Sequence, residues 1–181
     1  DHHLPQPDAA CTHLRMDVGR FRIRWELHTE FVSWTFLHAA RLESLDDREP
    51  ECAIDVVPQD WVAALPGRCL LSVHLWALPV TGLDAASLVK RVLHEDTLVA
   101  STVADGFGEL YTDFAIHADG FSRMLVLAGG MTPRRLGRLV QRLLEIETYR
   151  MAALLGLPAA REVSAVLASA ERELAELAQS I

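Results

Sequence analysis

Residues 21–36, FRIRWELHTEFVSWTF, alternate between apolar and ionisable side chains over their first eight positions. The two alternating sets are Phe21, Ile23, Trp25 and Leu27, and Arg22, Arg24, Glu26 and His28. Because successive side chains of a strand point to opposite faces, this stretch predicts a strand with one apolar and one ionisable face. The ionisable face is either a functional site or a solvated outer surface.

The alternation shifts by one residue after Thr29, where the apolar positions become Phe31, Val32, Trp34 and Phe36. A shift of one residue turns every side chain to the other face unless a bulge or a turn absorbs it. We therefore predict a bulge or a tight reversal at residues 28–30. Since this segment contains no Gly or Asn, the sequence favours a bulge over a two-residue hairpin turn.

Two further elements are predicted ahead of the C-terminal region. Residues 68–78 are rich in Leu, Val and Trp between proline-containing boundaries, which indicates a buried strand. His74 within that strand is expected to be a hydrogen-bonded core histidine, since buried polar groups are normally paired. Residues 84–94 predict a helix that Asp84 caps and that buries one apolar stripe.

A second hairpin is predicted around Ala118-Asp119-Gly120, which carries a strong turn signal between two apolar segments. With a three-residue loop, Asp113 faces Leu125 and is a diagonal neighbour of Arg123, close enough for a charge pair. With a two-residue loop, Asp113 and Arg123 lie on opposite faces of the hairpin.

The C-terminal region predicts two helices. Thr132 followed by Pro133 is a favourable helix start, and apolar residues then recur at helical spacing up to Gly156. Pro158 permits a new helix after Leu157. Apolar residues in this second helix step by four and three along a heptad seam: Val163, Leu167, Ala170, Leu174, Leu177 and Ile181. The seam is typical either of a coiled coil or of an amphipathic helix packed on its own domain.

These patterns predict an α+β fold. It consists of an antiparallel sheet of about five or six strands, packed against the long C-terminal helix and a following helix. Residues 1–130 form the sheet portion with one or two short helices, and residues 131–181 form the two C-terminal helices. The composition, 50% hydrophobic and 23% charged, is that of a globular domain.

Charge and cysteine usage narrow the function classes. The formal net charge of −8 argues against nucleic-acid binding, which needs a basic surface. The three cysteines share no metal-type spacing, which favours reduced thiols in a cytoplasmic setting. Residues 1–13 show no signal pattern, and no phosphate-binding loop or nucleophile motif is present. We expect no cofactor and no nucleic-acid partner.

The ionisable face of the opening strand is the first candidate site. Glu26 and His28 share that face, and Glu30 is displaced from it by the shift. A carboxylate beside an imidazole is the arrangement that general acid–base catalysis requires. His28 with Glu26 or Glu30 is also a weak candidate for holding a divalent metal. The alternative is a solvated strand face with cross-strand ion pairs.

The second hairpin supplies further candidates. If it lies beside the opening strand, Asp113 and Arg123 extend the ionisable face into a larger patch, with Tyr111 nearby. The candidate catalytic set is then Glu26, His28, Glu30, Asp113 and Arg123. The alternative is a structural ion pair, which also perturbs proton affinities without catalysis.

The C-terminal helix carries two other ionisable groups. Four arginines near its start either bind an anion or form a solvated face: Arg134, Arg135, Arg138 and Arg142. Further along, Glu147 and Arg150 are one helical turn apart, so we expect them to pair.

Two long segments, RFRIRWELHTEFVSWTF and HADGFSRMLVLAGGMTPRRLGRLVQRLLEIETYRMAALLGLPAARE, resemble a bacterial membrane-anchored family catalogued as domain-of-unknown-function family 3422. LPGRCLLSVHLW and YTDF fall between them in the expected order, so the resemblance covers nearly the whole chain. Positions that match the family's motifs are Trp25, Glu26, His28, Thr29, Glu30, Phe31, Asp113, Arg123, Glu145, Glu147, Tyr149 and Arg150.

The resemblance implies longer proteins, with an upstream segment and a hydrophobic C-terminal membrane anchor. This chain would then be a soluble excerpt from the cytoplasmic side of the bacterial inner membrane. The family has no assigned reaction, so the resemblance supplies no catalytic residues.

The leading functional hypothesis is a membrane-tethered binding or scaffold domain that forms homo-oligomers through its C-terminal helices. It reaches the membrane through a segment absent from this chain. The first alternative is an enzyme or small-ligand receptor, which requires the five candidate residues to converge on one pocket. The second alternative is a divalent-metal-binding domain.

Overall fold

The computed structural model describes residues 8, 10–39, 50–80 and 84–179. The chain divides into two compact units. Unit 1 contains residues 1–68 and 84–96, and unit 2 contains residues 69–83 and 97–181. The division predicted at residue 130, between a sheet portion and a helical portion, stays a prediction.

Unit 1 contains a three-stranded antiparallel sheet in the order β1 (His13–Asp17), β2 (Arg22–Leu27) and β3 (Val32–Leu37). A short 3-10 helix (Ala53–Val56) and helix α1 (Gln59–Ala63) follow the sheet in the chain. The face of β2 that the sequence predicted to be apolar is buried at its start, where Phe21 and Ile23 form a small core with Val56 and Val57. The Trp34 ring contributes an edge-to-face contact with Trp61, with 5.4 Å between ring centroids.

A two-residue turn absorbs the shift in the opening stretch. The His28 N–H donates to the Phe31 carbonyl at 2.9 Å, and Thr29 and Glu30 form the loop. Leu27 pairs with Val32, so odd-numbered residues of β2 lie opposite even-numbered residues of β3. The apolar side chains therefore fall at odd positions before the turn and at even positions after it. The predicted site of the irregularity is confirmed, but the preference for a bulge was wrong. Neither loop residue is left-handed, so the reversal needs no Gly or Asn.

Unit 2 contains a four-stranded sheet in the order β4-β7-β6-β5. Its strands are β4 (Val73–Pro79), β5 (Val99–Val103), β6 (Gly108–Thr112) and β7 (Ser122–Ala128). Neighbouring strands pair antiparallel except β4 and β7, which are parallel. The predicted α+β class is confirmed. The strands form two sheets where one had been predicted. The parallel pair needs a long connection, and α2, β5 and β6 lie between β4 and β7 in the chain.

Both predicted helix starts are confirmed. The Asp84 carboxylate caps α2 (Ala85–Val92) by accepting the Ser87 N–H at 3.2 Å. The Thr132 hydroxyl accepts the Arg135 N–H at 3.3 Å, ahead of α3 (Pro133–Gln179). These bonds satisfy backbone donors that the first helical turn leaves without a partner.

The first half of α3 packs on one face of the unit 2 sheet. Leu143 contacts the buried Met124 and Val126 of β7, and Leu136 and Leu139 extend the contact. Beyond Met151 the helix is different: the described side chains of residues 152–178 are exposed except that of Ser169, which is partly buried.

The helix continues through Pro158, so the predicted end at Gly156 and the predicted new helix after Leu157 were wrong. Proline removes one hydrogen bond, to the Leu154 carbonyl, and its ring crowds the preceding turn. Because this stretch is exposed, water can solvate that carbonyl, which makes a continuous helix tolerable.

By length and composition, α3 is able to cross a membrane. An 18-residue window within residues 133–178 has a mean hydropathy of 1.4, and none of it is buried.

Replacing Pro158 with alanine tests the continuous helix. We expect the Pro158→Ala variant to strengthen α3 locally by about 3 kcal/mol, because alanine restores the N–H and removes the ring clash. Amide hydrogen exchange over residues 152–160 measures this gain. At the start of a separate helix, proline is well accommodated and the same change would have little effect. The Ala165→Gly variant is the control and should weaken the helix by about 1 kcal/mol.

Candidate functional site

The structure accounts separately for the three candidates of unit 1. Glu26 forms a salt bridge with Arg24 on the same face of β2, with both side chains partly buried. The His28 ring stacks on Phe31 with 4.3 Å between centroids, and Glu30 is exposed in the turn. Within the described part of unit 1, no hydrogen bond joins these three candidates. Their predicted role in catalysis or metal binding stays a prediction.

Unit 2 gathers ionisable side chains at one end of its sheet. The parallel strands β4 and β7 begin at this end, and β6 finishes there, so the loop of residues 113–121 lies beside both strand starts. We call the following residues the polar cluster: His74, Asp113, His117, Asp119 and Arg123.

The loop between β6 and β7 is longer than predicted. Tyr111 lies opposite Leu125, two residues away from the predicted register, which placed Asp113 there. The chain leaves the sheet because Phe114 adopts a left-handed φ of 52°, which is unusual for a bulky side chain. Gly120, with φ of 83°, makes the return turn, as the sequence predicted.

Asp113 and His117 form the more deeply buried pair of the polar cluster. The Asp113 carboxylate is 2.8 Å from His117 Nε2, and the two side chains are 0% and 7% exposed. The second carboxylate oxygen of Asp113 accepts the Ala115 N–H at 3.1 Å. Buried charged or polar groups need such partners, and these two contacts link the start of the loop to its middle.

Asp119 joins the other members of the polar cluster. Its carboxylate accepts the Phe121 N–H at 3.0 Å and a guanidinium N–H of Arg123 at 3.1 Å. The same carboxylate lies 3.6 Å from His74 Nε2. Partial burial alone would raise the pKa of Asp119, but the Phe121 N–H and the Arg123 guanidinium outweigh it and lower that pKa below 3.8.

His74 is buried, as the sequence predicted for a core histidine. Its ring stacks on Phe121 with 3.9 Å between centroids and 8° between planes. Phe121 immediately precedes β7, so this stack joins the start of β4 to the end of the loop. His74 and Arg123 are paired in the β4–β7 register, so their side chains lie on the same face of the unit 2 sheet.

The predicted pair on α3 is confirmed. Glu147 is 1% exposed and accepts two hydrogen bonds from Arg150, at 2.7 and 2.6 Å. The hydrogen bonds to Glu147 raise the pKa of Arg150. Arg150 also lies over the Phe114 ring, 5.0 Å from its centroid, so it ties the loop of the polar cluster to α3.

Of the four arginines at the start of α3, one has a defined structural partner. Arg135 forms a salt bridge with Asp105 and stacks on the Phe107 ring at 4.8 Å. Arg134, Arg138 and Arg142 are exposed. The arrangement resembles the solvated helical face more than a convergent anion site.

The polar cluster contains two residues that the sequence predicted as site candidates, Asp113 and Arg123. His117 and Asp119 were missed as candidates. Each lies four positions from its partner, but in a loop that spacing has no periodic meaning, so only the tertiary structure identifies them. Chemically, the buried Asp113–His117 contact can position a proton or a polar ligand, and the more exposed Asp119 brings a second carboxylate close to an imidazole, that of His74.

The sequence model of a family described as "Protein of unknown function (DUF3422)" matches residues 1–181. The chain belongs to this family. Membership of DUF3422 confirms the resemblance seen in the sequence, while the membrane anchor stays a prediction. No curated protein and no solved structure matches the chain.

Neutralising Asp119 tests the electrostatics of the polar cluster. Its pKa is lower in the folded than in the unfolded chain, so its charge stabilises the fold at pH values above the ordinary value of 3.8. That stabilisation is lost as the pH falls below 3.8. We expect the difference in unfolding free energy between wild type and Asp119→Asn to be largest near neutral pH and to shrink in acid. Urea denaturation across this pH range measures it.

The control for this experiment is Glu173→Gln, on the exposed part of α3. It should leave the pH dependence of stability unchanged. Parallel curves for wild type and Asp119→Asn from neutral to acid pH would contradict the assigned electrostatic role.

Proposed function

We propose that this chain is a membrane-tethered scaffold domain that self-associates through the second half of α3. The observation that carries the proposal is the large number of exposed apolar side chains on that half. Eight large ones are 38–69% exposed: Leu154, Leu155, Leu157, Val163, Val166, Leu167, Leu174 and Leu177. Exposed apolar surface of this extent is characteristic of interaction sites.

The heptad seam supports a second copy of this chain as the partner. Val163, Leu167, Leu174 and Leu177 are each more than half exposed, and Ala170 lies between them on the same seam. Ile181, the last seam position, lies outside the described residues. A seam of this kind is covered by an identical seam, because apolar positions of two helices interlock as knobs and holes. Each Å² of apolar surface buried in this way contributes about 25 cal/mol.

Charge placement also favours pairing along the seam. The charged residues of this half of α3 all lie off the seam: Arg161, Glu162, Glu171, Arg172, Glu173 and Glu176. Two copies can therefore bring their seams together without burying a charge, which would be costly.

The membrane relationship is proposed from the family resemblance. We place the domain on the cytoplasmic side of the bacterial inner membrane, tethered by a hydrophobic segment outside residues 1–181. Residues 152–160 carry no charge and are exposed, which is compatible with a position near a lipid surface. Two copies tethered to the same membrane would pair their α3 helices in parallel.

A charge placed on the seam tests self-association. We expect the double variant Leu167→Glu/Leu174→Glu to be monomeric where the wild type is a dimer or larger, because four carboxylates would face one another across the seam. The matched control, Ala165→Glu/Ala175→Glu, adds the same charges off the seam and should keep the wild-type mass. Sedimentation velocity measures the mass of each protein.

Both variants replace exposed side chains, so unfolding is not expected and far-ultraviolet circular dichroism verifies this. A wild-type protein that stays monomeric at about 0.1 mM, a concentration that reveals even weak association, would contradict the scaffold proposal. Equal masses for the wild type and the seam variant would contradict the assignment of the seam.

A further inference from the structure

Strand β5 is an open edge of the unit 2 sheet. Within the described part of the chain, β6 is the only strand that pairs with it. Its sequence, VASTV, contains no charge and no proline, its pairing with β6 has no bulge, and residues 99–102 are exposed. Natural sheets usually protect such an edge with a charged residue, a proline, a bulge or a covering helix or loop. An unprotected edge is a template for another strand.

The sequence of β5 reads almost the same in both directions. In an antiparallel pair of two copies centred on Ser101, Val99 faces the partner's Val103 and Ala100 faces the partner's Thr102. Ser101 then faces its own counterpart. Every opposed pair is uncharged and similar in size, so the strand matches itself around a two-fold axis, which is the geometry of an isologous dimer contact.

The absence of charge on β5 also bears on the choice of partner. Two copies that each carry a net charge of −8 repel one another. Because β5 carries no charge, contact there adds the least electrostatic repulsion. A basic peptide would be attracted to the chain as a whole, but β5 offers it no acidic side chain. The pattern of β5 therefore fits a second copy of this chain better than an oppositely charged partner.

We propose that β5 is a second self-association surface, at which the β5 strands of two copies pair antiparallel and join two four-stranded sheets into one of eight strands. Five residues span only about 17 Å, and a stable interface buries about 800 Å² per partner. Strand pairing therefore adds to the α3 contact, and to this extent the inference rests on the proposed function.

Disulfide trapping tests the strand pair and its register. Opposed residues of antiparallel strands have Cα atoms about 4.5–5.5 Å apart, within the range that a disulfide bridges. Under mild oxidation, Ser101→Cys should link to its own copy about tenfold faster than Ala86→Cys, an exposed control on α2. Neither Val99→Cys nor Val103→Cys should link alone, but a mixture of the two should. Mass spectrometry distinguishes these products from any formed by the native cysteines.

The possible outcomes separate this inference from the proposed function. If Ser101→Cys links no faster than Ala86→Cys while the wild type is a dimer, the strand pairing is wrong and the scaffold proposal stands. If Ser101→Cys links rapidly while the α3 seam variant keeps the wild-type mass, the strand pairing stands and the α3 seam is wrong. Rapid linking of Val99→Cys alone would overturn the antiparallel register centred on Ser101.

Discussion

The packing of the first half of α3 on the unit 2 sheet is the contact on which the rest of that unit depends. Leu143 meets Met124 and Val126 on the central strand of the sheet, where apolar burial is complete. This contact fixes the direction of the helix, and the Glu147–Arg150 pair marks where the packed half ends. A rigid helix anchored in this way carries its second half beyond the sheet, where the apolar side chains of its seam are largely exposed.

Both proposed association surfaces share one property. The seam of α3 and the strand β5 are uncharged regions on a chain with a net charge of −8. Long-range repulsion keeps acidic copies apart, so contact is favoured only where apolar burial or backbone pairing outweighs it. A protein with two such surfaces in one unit can link copies in more than one way, which suits a scaffold.

The polar cluster illustrates how far sequence reasoning reaches at a site. Asp113 and Arg123 could be chosen because each stands out as a charge in an apolar segment. His117 and Asp119 could not, because a loop has no period and its conformation depends on the left-handed Phe114 and on contacts with β4. In unit 1 the ionisable residues that alternation placed on one face of β2 include a salt-bridged pair, Arg24 and Glu26, and the site predicted there stays a prediction.

The sequence by itself determined which side chains share a face and where elements begin. Alternation identified β2, its buried face and the position of the irregularity after it, and capping residues located the starts of α2 and α3. Only the tertiary structure decided that there are two sheets, that β4 is parallel to β7 and that α3 continues through Pro158. The reason is physical: periodicity is local to an element, whereas strand pairing and the exposure that tolerates a proline depend on residues distant in the chain.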